Sequence, residues 1–248
     1  MTKLFGIIFL IAACPFIGTR VHAQTPEPAK APPPLMVRFI YISTAQLPNG
    51  QPEPDLRASL DSGAGIHDLV LGPGGLSPII EYRGPQPVTL FQKVKKGENE
   101  VRQNLTSLNY PSTWKGVVFL VRYNSALAPF PYQFTPIEFW GGDIAEKHVR
   151  FYNLCPVEIA VNLAGSQATI APQHSVDLDT RNATDYMPIK ILAKRSEDGR
   201  SVAVKTGLPK PSDLRLLMLA YPSTAEFNDI GLLTIGDLPM PPAEPGAH

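Results

Sequence analysis

From residue 35 to residue 235 the chain is a succession of short apolar runs, each stopped within a few positions by Gly, Pro, Asn or Asp. Runs of that length and punctuation predict β-strands joined by turns. The first series is "LMVRFIYIS", "DLRASLD", "HDLVLGP", "LSPIIEYR", "PVTLFQKV", "NEVRQNLTSL", "KGVVFLVRY" and "YQFTPIEF". The second is "HVRFYNL", "VEIAVNL", "QATIAP", "HSVDLD", "MPIKILAKR", "RSVAVKTG", "DLRLLMLAY" and "DIGLLTI". In "VEIAVNL", Val157, Ile159, Val161 and Leu163 alternate with Glu158, Ala160 and Asn162, so one face meets a core and the other meets water. By contrast "VVFLVRY" and "LRLLMLAY" are nearly continuous, which predicts central strands covered on both faces.

The two series are copies of one pattern. Leu56, Ala58 and Leu60 align with Val157, Ile159 and Val161 at a constant offset of 101, which also carries "PVTLFQKV" onto "PIKILAKR". Farther on, "VVFLVRY" ending at Tyr123 maps onto "RLLMLAY" ending at Tyr221, a net loss of three residues. The opening runs, at Val37 and Val149, lie 112 apart, so the first copy carries about eleven extra residues around "TAQLPNGQPEP". Two stacked antiparallel sheets per copy bury such alternating faces most simply. The expected fold class is all-β: two tandem immunoglobulin-like antiparallel β-sandwich domains, residues 35–140 and 147–237, related by an internal repeat. The linker near "WGGDIAEK" is short, so the domains are expected to touch.

The two ends differ in character. Lys3, the apolar stretch "LFGIIFLIAACPFIG" and the small residues before Gln24 predict a signal peptide over residues 1–23, and hence export to the periplasm, the cell surface or the medium. That apolar stretch is shorter than the roughly 20 residues of a membrane-spanning helix, so no transmembrane segment is expected in the mature chain. "IAAC" ending at Cys14 loosely resembles a lipobox, which gives a lipoprotein anchored at Cys14 as the alternative. Residues 24–34, rich in proline, read as a disordered tether, and residues 238–248 read as a disordered tail.

Charge and cysteine usage narrow the picture. The 22 basic residues balance 22 acidic ones, which leaves no electrostatic case for nucleic acid or an anionic membrane as partner. If Cys14 leaves with the leader, Cys155 is the only cysteine, no intramolecular disulfide can form, and Cys155 reads as a small buried hydrophobe.

Candidate chemistry is sparse. His67, His148, His174 and His248 have no nucleophile turn of the Gly-x-Ser-x-Gly type to serve, so no catalytic residue is assigned. The order His148, Cys155, His174, Met187 invites comparison with blue-copper sandwiches, but two predicted strands separate Cys155 from His174, so no metal or other cofactor is expected. "DLDTRNATD", Asp177 to Asp185, concentrates oxygen ligands, yet Arg181 stands at its fifth position and the alternation of Val176 and Leu178 with Asp177 and Asp179 fits a half-exposed strand. "GPGG" at 72–75 leads into a strand rather than a helix and reads as a turn. The surface expected to bind a partner is the extra loop, with Gln46, Leu47 and Asn49, together with Phe130, Tyr132 and Phe134 of "ALAPFPYQF".

At "VRFIYIS…DLRASLDSG" and "VRFYNLCP-VEIAVNLAG" the chain resembles a family of exported bacterial β-sandwich domains of unknown function, which open with a Val-Arg strand and continue through a turn into an alternating strand ending at glycine. The resemblance implies an envelope or surface protein and transfers no catalytic residue. The functional expectation is a non-enzymatic exported protein with a binding, adhesion or scaffolding role, whose partner is another envelope or surface protein or a glycan. The alternatives are a periplasmic chaperone-like assembly factor, or a metal-binding or enzymatic site at the domain junction.

Overall fold

A computed structural model describes residues 34–43, 47, 51–194, 201–209, 215–223 and 229–240. The leader with Cys14, the tether up to residue 33, Gln46, Asn49 and residues 241–248 lie outside the described residues. The first copy supplies β1 (Leu35–Tyr41), β2 (Leu56–Asp61), β3 (Ile66–Leu71), β4 (Ile80–Tyr82), β5 (Val88–Lys96), β6 (Asn99–Leu108), β7 (Gly116–Tyr123) and β8 (Tyr132–Glu138). The second supplies β9 (His148–Asn153), β10 (Ile159–Leu163), β11 (Ser166–Ile170), β12 (Ser175–Asp179), β13 (Tyr186–Lys194), β14 (Ser201–Pro209), β15 (Arg215–Pro222) and β16 (Ile230–Ile235). Every apolar run read from the sequence is one of these strands. Among the described residues no helix is long and apolar enough to cross a membrane.

Each copy folds into two four-stranded sheets. An inner sheet, β4-β1-β7-β8 or β12-β9-β15-β16, faces an outer sheet, β3-β2-β5-β6 or β11-β10-β13-β14. Adding eight to each strand number of the first copy gives the order found in the second, so the repeat extends to topology. One pairing departs from the expected antiparallel arrangement: β1 runs parallel to β7, and β9 parallel to β15. The chain makes a long excursion through the outer sheet between these neighbours, and a long crossover is what parallel pairing requires.

Register corrects the alignment of the repeat. Val37 lies opposite Val117, and Val149 opposite Leu216, so the central inner strands are offset by 99 and Tyr221 matches Arg122 rather than Tyr123. Matching one tyrosine to another misled the alignment by one residue, whereas the face toward the core decides: Val117, Phe119 and Val121 correspond to Leu216, Met218 and Ala220. The outer sheets keep the offset of 101, with Leu60 opposite Leu90 and Val161 opposite Ile191.

Three apolar layers hold the four sheets. Val37, Phe39, Leu60, Leu90 and Phe119 fill the first sandwich, and Phe151, Val161, Ile191 and Met218 the second. Between them, residues of the opposite alternation on the inner sheets pack directly together: Ile40, Val118, Leu120 and Phe139 meet Leu154, Leu217, Leu219 and Ile235. This junction explains why β7 and β15 are apolar on both faces. The connecting segment takes part, since a 3-10 turn at Gly141–Asp143 delivers Ile144 into the junction layer. So does the start of the expected loose tail: Leu238 is buried there and the Gly141 N–H donates to the Pro239 carbonyl at 2.8 Å. The disordered tail therefore does not begin at 238, because a leucine at the edge of an apolar layer is stabilised by burial.

Candidate functional site

The outer sheet of the second copy presents a broad face to solvent. Strand β13 alternates without a break, with Met187, Ile189, Ile191 and Ala193 inward and Tyr186, Pro188, Lys190, Leu192 and Lys194 outward. On the outward side the ladder aligns Gln167, Asn162, Lys190 and Lys205 in one row and Thr169, Ala160, Leu192 and Ala203 in the next. Alanines on both sides of Leu192 leave the floor low, and the two rows line an open trough of about 700 Å³. Leu192 is half exposed, at 50%. At the other end Tyr186, also exposed, lies across Gly207, where any side chain would be driven into its ring. Asn162 Oδ1 accepts from the Gly165 N–H at 3.1 Å, which leaves its amide nitrogen as a donor.

The first copy shows the same place closed. Phe91 stands opposite Ser59 as Leu192 stands opposite Ala160, but Phe91 is buried. The Arg102 guanidinium sits 4.8 Å from the centre of its ring and is held by Asp61 at 2.7 Å. That bond is the main reason the Asp61 carboxyl lies below the usual carboxylate range. A second carboxylate, Asp68, accepts from the Ser59 hydroxyl at 2.8 Å.

At the junction, two repeat-equivalent arginines reach across in opposite directions. Arg38, buried on β1, donates from Nε to the Ser77 carbonyl at 3.0 Å, lies over the Phe139 ring, and pairs with Asp237 beyond β16. Arg150 on β9 grips Asp177 through Nε and Nη2 at 2.8 and 3.1 Å and reaches Glu138 of β8 at 3.3 Å. The hydrogen bond to Asp177 holds the Arg150 guanidinium above its ordinary value. Each copy thus contacts the far end of the other, as in an isologous interface. The arginine inside "VRF" was a legible signal, since Arg38 and Arg150 share the face of Ile40 and Tyr152 that the junction covers.

Cys155 is wholly buried, and burial pushes its thiol up to about 12. Arg122 lies beside it and opposes that shift, while burial lowers the guanidinium itself. Arg122 Nε has no hydrogen-bond partner. A thiol so placed is neutral at physiological pH and is not a nucleophile.

Of the partner-binding residues expected from the sequence, the structure brings three together. Phe130 lies 5.1 Å from Tyr132 and 6.1 Å from Phe134 between ring centres, and all three belong to or pack on the first core. Tyr132 is buried, and its hydroxyl donates to the Asp55 carbonyl at 2.7 Å, pinning the end of the extra loop to β8. Tyr41 stacks edge-on against it beside the buried Glu53, and burial first, then that carboxylate, pushes the Tyr41 hydroxyl well above the ordinary tyrosine range. Phe134 and Tyr132 line a groove of about 480 Å³ between β6 and β8. Leu47 is half-buried.

The three histidines among the described residues serve local structure, and His248 lies outside them. His148 Nδ1 lies 2.9 Å from the Glu146 carbonyl, and His174 Nδ1 lies 2.8 Å from that of Pro172. His67 Nε2 lies 3.0 Å from Ser62 Oγ, a serine–histidine contact that sequence spacing did not reveal. Ser62 is fully buried and its hydroxyl donates to the Gly65 carbonyl at 3.1 Å, so the pair closes the β2–β3 turn and offers no accessible nucleophile. In the oxygen-rich segment, Asp177 is taken by Arg150 and Asp179 by Arg181, which holds the Asp179 carboxyl at about 2. Among the described residues no group of three or more His, Cys, Asp or Glu is placed to hold a metal ion. In comparisons with known proteins, no family model and no curated protein matches the chain.

Proposed function

We propose that the chain is a non-enzymatic, exported envelope or cell-surface binding protein, in which the four-sheet stack is a rigid mount and the trough on the outer sheet of the second copy is the contact surface. The observation that carries this reading is the contrast between the two copies: in one, Phe91 is buried beneath Arg102 and only a groove of about 290 Å³ remains beside Ser59 and Asp68, whereas in the other the equivalent Leu192 stands exposed in a trough of about 700 Å³. Leu192 does not stand alone: it continues across the strands into Ala160 and Ala203, and this apolar row beside the Lys190–Lys205 row in a concave face is the kind of surface that contacts a partner. Export is supported by the leader-like first 23 residues.

The test is co-sedimentation of the purified protein with isolated cell-envelope fragments. Leu192→Glu places a charge on the trough without touching either core, and is expected to abolish retention while the circular dichroism spectrum stays unchanged. Retention equal to the parent protein would sink this reading.

A further inference from the structure

We propose that the trough binds a strand of acidic polysaccharide, with Lys190 and Lys205 receiving its carboxylates. This rests on the trough being the contact surface. Lys190 and Lys205 stand directly opposite one another in the β13–β14 ladder, both pointing to solvent. Like charges so placed, about 5 Å apart at Cβ, destabilise a sheet. Among the described residues neither lysine has an ion-pair partner. An anion lying between them removes the repulsion.

The first copy supplies an internal comparison that points the same way. At the offset of 101, its Asp61, Asp68 and Thr89 become Asn162, Thr169 and Lys190. Two carboxylates have given way to neutral hydrogen-bonding groups and one hydroxyl to an ammonium, while exposed Arg57 has become Glu158 and the Arg102–Asp61 pair is lost, so two unpaired ammonium groups stand on the open face where an ion pair closed the other.

The remaining groups choose a glycan over other anions. The row Gln167, Asn162, Lys190, Lys205 crosses four strands, about 14 Å at the usual strand spacing. It offers amides for hydroxyls beside ammonium groups for carboxylates. Tyr186 and Leu192 flank the row with apolar area suited to the C–H faces of sugar rings. An acidic peptide would instead add to a sheet edge through its backbone, whereas backbone groups on this face are already engaged in the β10–β13 and β13–β14 ladders.

Affinity electrophoresis in gels containing polygalacturonate tests the proposal, with dextran as the neutral control. The parent protein is expected to be retarded by polygalacturonate alone. Lys190→Gln with Lys205→Gln should weaken that retardation at least about tenfold, as loss of two charge-assisted bonds implies. Lys93→Gln, on the outer sheet of the first copy, should leave it unchanged. Retardation that survives the double substitution, or competition by poly-glutamate as effective as that by free oligogalacturonate, overturns the acidic-glycan assignment. Absence of retardation, while Leu192→Glu still abolishes envelope retention, overturns the glycan and leaves the contact surface standing. Envelope retention that survives Leu192→Glu removes the contact surface itself.

Discussion

Leu219→Ala tests the apolar junction that joins the two sandwiches. Leu219 is fully buried in the layer between the inner sheets, in the second copy. Truncating a leucine at such a site costs about 2.7–5 kcal/mol, with the higher values where the surroundings cannot collapse. Two facing sheets are stiff, so about 3 kcal/mol or more is expected. With an m-value of about 2–3 kcal/mol/M in urea, the midpoint should fall by roughly 1–1.5 M. The assay exploits an asymmetry in the chain: both tryptophans, Trp114 and Trp140, lie in the first copy or just after it, whereas far-UV circular dichroism reports on both. If the junction couples the sandwiches, tryptophan fluorescence and circular dichroism give coincident transitions that shift together. Leu120→Ala, the equivalent position in the first copy, should behave the same way. A fluorescence midpoint unmoved by Leu219→Ala, beside a partial shift in circular dichroism, would refute the coupling.

Three other substitutions probe separate parts of the structure. Cys155→Ala should change the pH dependence of stability: with the folded thiol at about 12 and the unfolded one near 8.5–9, the contribution of the thiol is full below about pH 9 and is lost as pH rises toward 12. The stability difference between parent and variant, measured by urea titration, should therefore shrink by about 1.4 kcal/mol per pH unit in that window, and a difference constant from about pH 8 to 11 refutes it. Gly116→Ala drives a methyl group into the Phe139 carbonyl and should cost about 1–3 kcal/mol, whereas Gly207→Ala meets only the exposed Tyr186 ring, which can swing aside, and should cost less than about 1 kcal/mol beyond β-propensity; thermal denaturation ranks the two. Arg122→Met removes a half-buried cation whose Nε is buried without a partner and should leave stability equal or raised by up to about 1 kcal/mol, against the 1–3 kcal/mol loss expected if the guanidinium held the junction together.

The candidate surface was less legible than the fold. Lys190, Leu192 and Lys205 are ordinary outward residues of alternating strands, and nothing in their spacing marks them. They come together as a candidate surface only when three neighbouring strands align Ala160 and Ala203 beside Leu192, and when the other copy shows the same position filled. The aromatic segment shows the converse. Phe130, Tyr132 and Phe134 stand out in the sequence, yet Tyr132 is spent on the core and on anchoring the chain at Asp55.

By itself the sequence determined the strands, their number and the repeat, because period-two alternation and turn residues act over a few positions and each run carries its own signal. It also foretold that β7 and β15 are covered on both faces, since a strand apolar on every residue cannot face water. What covers them was decided only by the tertiary structure: the second face of each inner sheet is buried by the other copy, with Arg38 and Arg150 crossing in opposite directions. The one-residue correction to 99, the parallel pairs and the trough belong to the same class, for each depends on which distant strands lie side by side, and pairing at that range is chosen by the core as a whole.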